Sequence, residues 1–335
     1  MTRLISVLAV LTVAAPAAAD SAHDLFLCVA LNKNDVVGAK LVALNGVYVR
    51  GTGDVFQHLG SNFPGIVTLA TDPRNRRVFY MATLNGCVQT ADGGKTWRIS
   101  TSWDMTEPKD VCVDPRAPDS VYLALPDGIA VSPDCGATWR RRETGLPDRG
   151  KYAQTIEVDR TTAGRVLAGC ESGIYLTENG AESWRRVLPT SATVDDVQQS
   201  PHDPQLWLAA TQSDGAHVSR DGGVTWERIE GVPAAGALYN LAFDATRPER
   251  IAIGGWSPGV LTSEDGGRTW AGRNAGLPDD QHVFKVAIDP DTGRLLASLY
   301  QCGLYVSDDF GRTWSRGGLE GSTVYGFVFV PKAAR

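Results

Sequence analysis

A single octet, of the form Ser/Thr-x-Asp-x-Gly-x-Thr-Trp, recurs along this chain and uses six of its nine tryptophans. Successive copies lie about 43 residues apart, a period typical of architectures in which each repeat is one supersecondary unit. A degenerate copy precedes them, in which Gly53 and Phe56 take the places of the glycine and the tryptophan. The six full copies are Thr90–Trp97, Ser132–Trp139, Thr177–Trp184, Ser219–Trp226, Ser263–Trp270 and Ser307–Trp314.

Each repeat also carries the same succession of short, alternating apolar runs. In one repeat these runs are Val283–Asp289, Leu295–Leu299 and Leu304–Val306, and the tryptophan of the octet opens a fourth. Such alternation, in segments rich in β-branched and aromatic residues, predicts strands. Four short strands per repeat indicate the blades of a propeller, because a single blade buries its faces only between neighbours. We therefore predict an all-β, seven-bladed β-propeller with four-stranded blades.

The last apolar run predicts how the ring closes. Thr323–Pro331 repeats the first-strand pattern, but no second, third and fourth strands follow it. We expect it to complete the blade formed by N-terminal strands near Leu25–Leu31 and Lys40–Val49. Which of these two runs takes which strand position stays open.

The octet fits a tight hairpin turn between the third and fourth strands of a blade. Its glycine can adopt a positive φ, and its aspartate can accept hydrogen bonds from backbone N–H groups of the turn. The tryptophan then buries a large ring between blades. A calcium loop is not indicated, since the octet lacks its ligand pattern. In the copy at Thr177–Trp184, Asn179 and Ala181 replace the aspartate and the glycine, which predicts a looser or differently shaped turn.

These octets resemble the Asp-box, or BNR, repeat of sialidases, sortilin-type receptors, xyloglucan hydrolases and photosystem II assembly and stability factors. The resemblance covers residues from about Val47 to Pro331 and implies a propeller with Asp-box hairpins. In size the chain is most similar to the photosystem II assembly factors, which are single exported propellers that bind a membrane-protein partner. The Phe-Arg-Ile-Pro segment of sialidases is absent, and xyloglucan hydrolases resemble two such propellers in tandem.

The N-terminal segment has the features of a signal peptide. Arg3 supplies a positive charge, Leu4–Ala15 is apolar, and Ala17–Ala19 fits a cleavage site. We predict a signal peptide at residues 1–19, a single propeller domain at residues 20–335, and a periplasmic or secreted protein. The net charge of −6 does not favour nucleic acid as a partner. We expect a monomer without membrane insertion that binds a protein or a glycan.

Motifs for chemistry are scarce in this sequence. The five histidines show no metal-ligand spacing, and no nucleophile elbow or phosphate-binding loop is present. No catalytic residue, metal or cofactor is therefore predicted. The six cysteines either pair as disulfides or remain buried thiols. The leading hypothesis is a non-enzymatic binding or assembly module of the cell envelope; the alternative is a sialidase-like glycoside hydrolase or another glycan-active enzyme.

The candidate site lies on the face opposite the octet turns. Alignment of the first strands places polar residues at equivalent positions near the axis, where buried polar groups need partners or water. Aromatic residues in the surrounding loops would turn this mouth into a platform for a small molecule, glycan or peptide. A water-filled channel lining is the simpler interpretation. The predicted ligand-binding residues are Trp103, Lys109, Asp110, Tyr152, Asp195, Asp196, Tyr239, Asn240, Trp256, His282, Lys285, Tyr300 and Tyr325.

Arginines follow the aromatic residue of the octet in nearly every repeat. Two runs, Arg140–Arg142 and Arg185–Arg186, fall on adjacent blades. Charges on an outermost strand prevent edge-to-edge pairing, and we favour this interpretation over a basic rim for an acidic partner.

Overall fold

Seven four-stranded antiparallel sheets account for all the strands of the described chain. The computed structural model describes residues 21–30, 45–51, 54–63, 65–280 and 282–332, and within these ranges it contains no α-helix. Blades 1 to 6 each use four consecutive strands, from β4–β7 to β24–β27, and blade 7 combines β28 with β1–β3. In chain order the strands are β1 (His23–Ala30), β2 (Gly46–Arg50), β3 (Phe56–Leu59), β4 (Thr68–Asp72), β5 (Asn75–Thr83), β6 (Gly86–Thr90), β7 (Arg98–Ile99), β8 (Asp110–Val113), β9 (Val121–Leu125), β10 (Gly128–Ser132), β11 (Arg140–Arg141), β12 (Ala153–Val158), β13 (Val166–Cys170), β14 (Gly173–Thr177), β15 (Arg185–Pro189), β16 (Val194–Gln199), β17 (Trp207–Thr211), β18 (Ala216–Ser219), β19 (Glu227–Arg228), β20 (Leu238–Phe243), β21 (Ile251–Gly255), β22 (Gly259–Ser263), β23 (Ala271–Gly272), β24 (Val283–Ile288), β25 (Leu295–Leu299), β26 (Gly303–Ser307), β27 (Ser315–Gly318) and β28 (Thr323–Pro331).

The first strands of successive blades pack side by side and form a closed ring. Each contacts the first strand of the next blade, and β28 contacts both β24 and β4. The predicted seven-bladed propeller is therefore confirmed. Blade 7 closes the ring because β28 pairs antiparallel with β1, from His23 opposite Pro331 to Ala30 opposite Thr323. The open question of strand position is thereby answered: β1 is the second strand and β2 the third. Residues 31–44, which include part of the predicted run at 40–49, lie outside the described residues.

The hydrophobic core is divided among the interfaces between neighbouring blades. One cluster packs Tyr122 and Ile129 of blade 2 against Ile156 and Tyr175 of blade 3. Most second and third strands are buried along their whole length, as in β9 and β10, whereas the fourth strand β11 is partly exposed. Because both faces of the central strands meet a neighbouring blade, the sequences of these strands are continuous apolar runs.

The box hairpins have the hydrogen bonds that the octet predicts. Asp92 Oδ1 accepts bonds from the N–H of Thr96 at 2.9 Å and the hydroxyl of Thr90 at 2.9 Å, and its Oδ2 accepts the Thr96 hydroxyl at 2.7 Å. Equivalent bonds from the box threonines hold the pKa of Asp221 and Asp309 at about 2. The aspartate is thus kept ionised as the acceptor that shapes the turn.

The tryptophan indoles of the boxes bond in two ways. Trp97 donates its Nε1–H to the carbonyl of Gly94 in its own box at 3.0 Å. Trp184 instead donates to the carbonyl of Arg142 in the preceding blade at 2.8 Å, and Trp314 likewise bonds Arg273 at 2.7 Å. Part of the repeat therefore fastens one blade directly to the previous one.

The expectation of a differently shaped turn at Thr177–Trp184 is wrong. Asn179 Oδ1 accepts the N–H of Ser183 at 3.0 Å and the hydroxyl of Thr177 at 2.9 Å, as the aspartates do elsewhere. Its Nδ2 donates to the Ser183 hydroxyl at 3.0 Å. In the other boxes the hydroxyl at this position donates to the aspartate, so donor and acceptor are exchanged between the same two positions. Ala181 adopts a φ of 68° at the glycine position. The hairpin keeps its shape by accepting this strained backbone.

All six cysteines are free thiols and all lie within the described residues. Burial raises the pKa of the Cys170 thiol to about 12 and that of Cys28 further still, so these two thiols are in the less reactive form. The predicted signal peptide at residues 1–19 lies outside the described residues. No helix within the described ranges has the length and apolar character needed to cross a bilayer.

Some of the arginines after the boxes are paired with carboxylates. Arg141 bonds Asp127 at 2.8 Å and Glu143 at 3.1 Å, and Arg142 bonds Glu182 of the next blade at 2.9 Å. Such pairing leaves these guanidinium groups less available to an acidic partner and favours their interpretation as edge charges.

Replacement of Asp309 by alanine is expected to destabilise the propeller, because the turn would lose the acceptor of the Thr313 N–H at 2.8 Å and of the Thr313 hydroxyl at 2.7 Å. The adjacent Asp308 is the control, since it is exposed and pairs only with Arg294 among the described residues. Urea unfolding should show a lower midpoint for Asp309→Ala than for Asp308→Ala, and equal midpoints would contradict a structural role for the box.

Candidate functional site

The first strands share a β-bulge near the end that faces away from the boxes. Pairing skips one residue between the first and second strands of five blades, namely Gln154, Asp195, Tyr239, Phe284 and Tyr325. A bulge inserts an unpaired residue and redirects its side chain. All five of these residues line the central channel. The bulges therefore present a ring of side chains at the channel mouth.

The channel has a volume of about 610 Å³. Most of the predicted ligand-binding residues line it, together with Gln154 and Phe284, which occupy equivalent first-strand positions but were not among the predicted ligand-binding residues. The predicted residues in the lining are Lys109, Asp110, Tyr152, Asp195, Asp196, Tyr239, Asn240, Lys285 and Tyr325. Trp256, His282 and Tyr300 lie in loops on the same face and do not line the channel. Trp103 projects between blades 1 and 2, is 90% exposed, and does not line the channel.

Six rings form a continuous series on this face, which we call the aromatic arc; its members are Tyr300, Trp256, His282, Tyr239, Phe284 and Tyr325. Trp256 stacks on His282, with centroids 4.0 Å apart and planes 7° from parallel. Tyr300 and Tyr239 flank Trp256 at 5.3 Å and 6.1 Å. Phe284 then links Tyr239 at 4.9 Å to Tyr325 at 4.8 Å. All six side chains are half-buried, so each is held by its neighbours and still presents surface to solvent.

Three of the predicted polar residues connect neighbouring blades. Asp110 Oδ2 accepts the N–H of Ile156 at 2.9 Å, and Asp196 Oδ2 accepts the N–H of Leu241 at 2.8 Å. Asn240 bonds both the N–H and the carbonyl of Val286 at 2.8 Å. In these three blades a polar side chain of the first strand thus holds the backbone of the next blade's first strand. These three polar residues of the channel lining therefore help to hold the blades of the propeller together.

Asp195 differs from its neighbours. Asp195 is only 5% exposed, yet its Oδ2 has no hydrogen-bond partner among the described residues. Its Oδ1 accepts a bond from Gln212 Nε2 at 3.1 Å. Burial raises the pKa of the Asp195 carboxyl to about 7, against the opposing effects of Gln212 and Lys285. Gln212 was not predicted, and only its position in the loop between β17 and β18 could have indicated it.

Other acidic groups lie in the same part of the propeller. Burial raises the pKa of Asp110 to about 6 and that of Asp196 above its usual range. Glu157, which was not predicted and does not line the channel, has its pKa raised to about 8 by burial, with a further contribution from Asp110 and Asp196. Lys285 provides a positive charge that opposes the shift at Asp110, Asp195 and Asp196. The channel lining therefore holds two carboxyls, Asp110 and Asp195, with pKa values near neutral pH.

Lys109 lies at the rim of the mouth. Its ammonium is 3.6 Å from Glu107 and 5.8 Å from the centre of the Tyr152 ring. Within the described ranges, no group of three or more His, Cys, Asp or Glu side chains is placed to hold a metal ion. The chemical resources of the site are aromatic faces, buried carboxyls and a lysine.

The repeat matches a known family. The model described as BNR/Asp-box repeat matches residues 305–316, in the last box of the chain. No curated protein shows a significant sequence match. The resemblance expected from the octets is thereby confirmed.

Solved structures share the fold at low sequence identity. The GH74 xyloglucanase from Xanthomonas campestris is 18% identical, with a TM-score of 0.65, over 81% of this chain and 51% of the enzyme. This chain thus spans about half the length of that enzyme. YCF48 from Cyanidioschyzon merolae is 15% identical, with a TM-score of 0.57, over 79% of this chain and 94% of YCF48. A structure of YCF48 bound to D1 peptide is 16% identical, with a TM-score of 0.57, over 75% and 82%.

Replacement of Asp195 by asparagine is expected to stabilise the protein at pH 8. The ordinary pKa of 3.8 is raised to about 7 in the folded state, so the folded protein binds more protons than the unfolded chain between these pH values. The free energy of unfolding therefore falls as pH rises through this window. Asparagine carries no charge and does not show this fall, so the variant should be more stable than the wild type by on the order of a few kcal/mol at pH 8. Urea unfolding at pH 4 and pH 8 measures it; a destabilised variant at pH 8 would contradict the unpaired state of Oδ2.

Replacement of Asp196 by alanine is expected to have the opposite effect. It leaves the buried N–H of Leu241 without its acceptor, which costs about 1–3 kcal/mol. Urea unfolding at pH 7 checks the loss. A variant as stable as the wild type would show that this bond does not help to hold blades 4 and 5 together.

Proposed function

We propose that this protein is a non-enzymatic binding module that holds an extended protein segment or glycan across the channel mouth, on the face away from the Asp boxes. The observation that carries the proposal is the aromatic arc beside a buried carboxylate with an unused oxygen. Aromatic faces next to a few convergent polar groups are the usual composition of a ligand site.

The arc has the properties of a preorganised surface. Trp256 is fixed on both sides, by the stacked His282 ring and by Tyr300. His282 Nδ1 lies 3.2 Å from the carbonyl oxygen of Trp256, and the N–H of Tyr300 donates to the carbonyl of His282 at 2.8 Å. Rings that are already ordered lose little conformational freedom when a ligand covers them. This rigidity favours recognition of an extended ligand by stacking.

Two structural neighbours are compatible with a peptide and with a glycan ligand, respectively. One neighbour is YCF48 bound to D1 peptide, and another is a xyloglucanase. A propeller of this kind can therefore present either a peptide site or a sugar site. We further propose that the protein acts in the periplasm or outside the cell, as the sequence at residues 1–19 indicates.

A glycoside hydrolase remains the second candidate, on a separate observation. The carboxyls of Asp110 and Asp195 have pKa values of about 6 and about 7, and a general acid of a glycosidase needs a raised pKa of this kind. The fold shared with a GH74 enzyme is consistent with this candidate.

Replacement of Trp256 by alanine is expected to weaken binding of any ligand found on peptide and glycan arrays by about tenfold or more, because the centre of the arc would be lost. Trp103→Ala is the comparison, since Trp103 is exposed on the same face but stands apart from the arc. Fluorescence anisotropy with the best array ligand measures both variants. Loss of binding in Trp103→Ala alone would place the site between blades 1 and 2 and contradict this proposal.

A screen with fluorogenic glycosides and xyloglucan oligosaccharides tests for catalysis. We expect no turnover by the purified protein. Turnover that disappears in Asp195→Asn or Asp110→Asn, with the fold intact by circular dichroism, would replace the binding proposal with a glycosidase. Asparagine keeps the size of each side chain, so a loss of rate would report the carboxyl group itself.

A further inference from the structure

We propose that the group seated at the channel mouth is cationic, a lysine ammonium or an arginine guanidinium of a peptide segment, held by Asp195 Oδ2 between Tyr152 and Tyr239. This inference rests on the proposed binding function and names the chemistry of its ligand. It selects a basic peptide over a glycan.

The first step is the unused oxygen. Asp195 and Asp196 are adjacent and equally buried, at 5% exposure each. Asp196 uses Oδ1 for Gln198 at 2.9 Å and Oδ2 for the N–H of Leu241 at 2.8 Å, whereas Asp195 Oδ2 stays without a partner in the described residues. A buried carboxylate oxygen without a partner is costly. Asp244 also has an unpaired oxygen, but Asp244 does not line the channel.

The second step is the placement of this oxygen. Asp195 is the bulged residue of β16 and lines the channel. Its charge reaches the hydroxyls of Tyr152 and Tyr239, whose pKa values it raises in addition to the effect of burial. The Asp195 carboxylate therefore lies at the mouth, with one tyrosine from the preceding blade and one from the following blade near it. A donor that enters the mouth comes close to this carboxylate and to aromatic surface together.

The third step is the sign of the charge. Asp196 raises the pKa of both Asp195 and Asp110, so these channel carboxyls act on one another unfavourably, and Lys285 opposes the rise at both. A sugar hydroxyl would donate one hydrogen bond and leave this charge unbalanced. An ammonium or guanidinium donates the bond and supplies the missing positive charge. The ring of Tyr239, which lies near the carboxylate, is suited to a cation as well.

The experiment uses labelled decapeptides with one central variable position, Arg, Lys, citrulline or norleucine, flanked by randomised neutral residues, and fluorescence anisotropy with the full-length protein at pH 8. We expect the Arg and Lys peptides to bind about tenfold or more tightly than the citrulline and norleucine peptides. Asp195→Asn should reduce this preference to about twofold or less. Asp148→Asn is the matched control, because it removes the same charge from an exposed loop position on this face.

A second measurement needs no variant. The groups that face Asp195 are Gln212 and Asp196 of its own blade, Tyr152 and Tyr239 of the flanking blades, and Lys285 across the channel. With a pKa of about 7 for Asp195, its ionised fraction rises about tenfold between pH 6 and pH 8. Affinity for the Arg peptide should rise by a similar factor. Titration of Asp110, which also lines the channel, adds to this rise in the same direction.

The outcomes separate the two proposals. Equal binding of the Arg and citrulline peptides, or a preference that persists in Asp195→Asn, overturns the cation inference. Binding on a glycan array that is lost in Trp256→Ala, without binding of the cationic peptides, overturns the inference and leaves the proposed function standing. No binding of either ligand class overturns both.

Discussion

The pairing of β28 with β1 is the contact on which the rest of the molecule depends. Seven sheets bury their faces only against each other, so an open ring would leave two blades exposed on one side. The pairing runs along the whole of β1. It brings β28 between β24 and β4, and it adds Tyr325 to the aromatic arc. The core, the channel and the candidate site therefore all require the same strand pair.

The two ends of the propeller use acidic residues in different ways. At the box end, hydrogen bonds from the turn lower the pKa of the aspartates and keep them ionised. In the channel, burial raises the pKa of Asp110, Asp195 and Asp196. The first group stabilises the turns by being charged. The second group carries a cost of burial that inter-blade bonds compensate at Asp110 and Asp196 but not at Asp195.

The sequence predicted the fold almost completely, because each octet marks one hairpin and its spacing leaves room for three more strands. Strand bounds such as Val121–Leu125 and Thr323–Pro331 agree with the structure. The sequence also placed polar first-strand residues near the axis, and most of the predicted site residues line the channel. It could not show that pairing skips Asp195 and Tyr239, since a bulge depends on the partner strand. Nor could it show which carboxylates bond the next blade, or that Asn179 reproduces the bonds of an aspartate.

The position of Tyr325 also sets an order of events during synthesis. A ribosome makes β28 after every other strand of the ring, and β1, its partner, is made first. Blade 7 stays without its inner strand until β28 is made. The arc is complete only when the last strand is inserted. Under the proposed function, a ligand that contacts the whole arc therefore requires the closed ring.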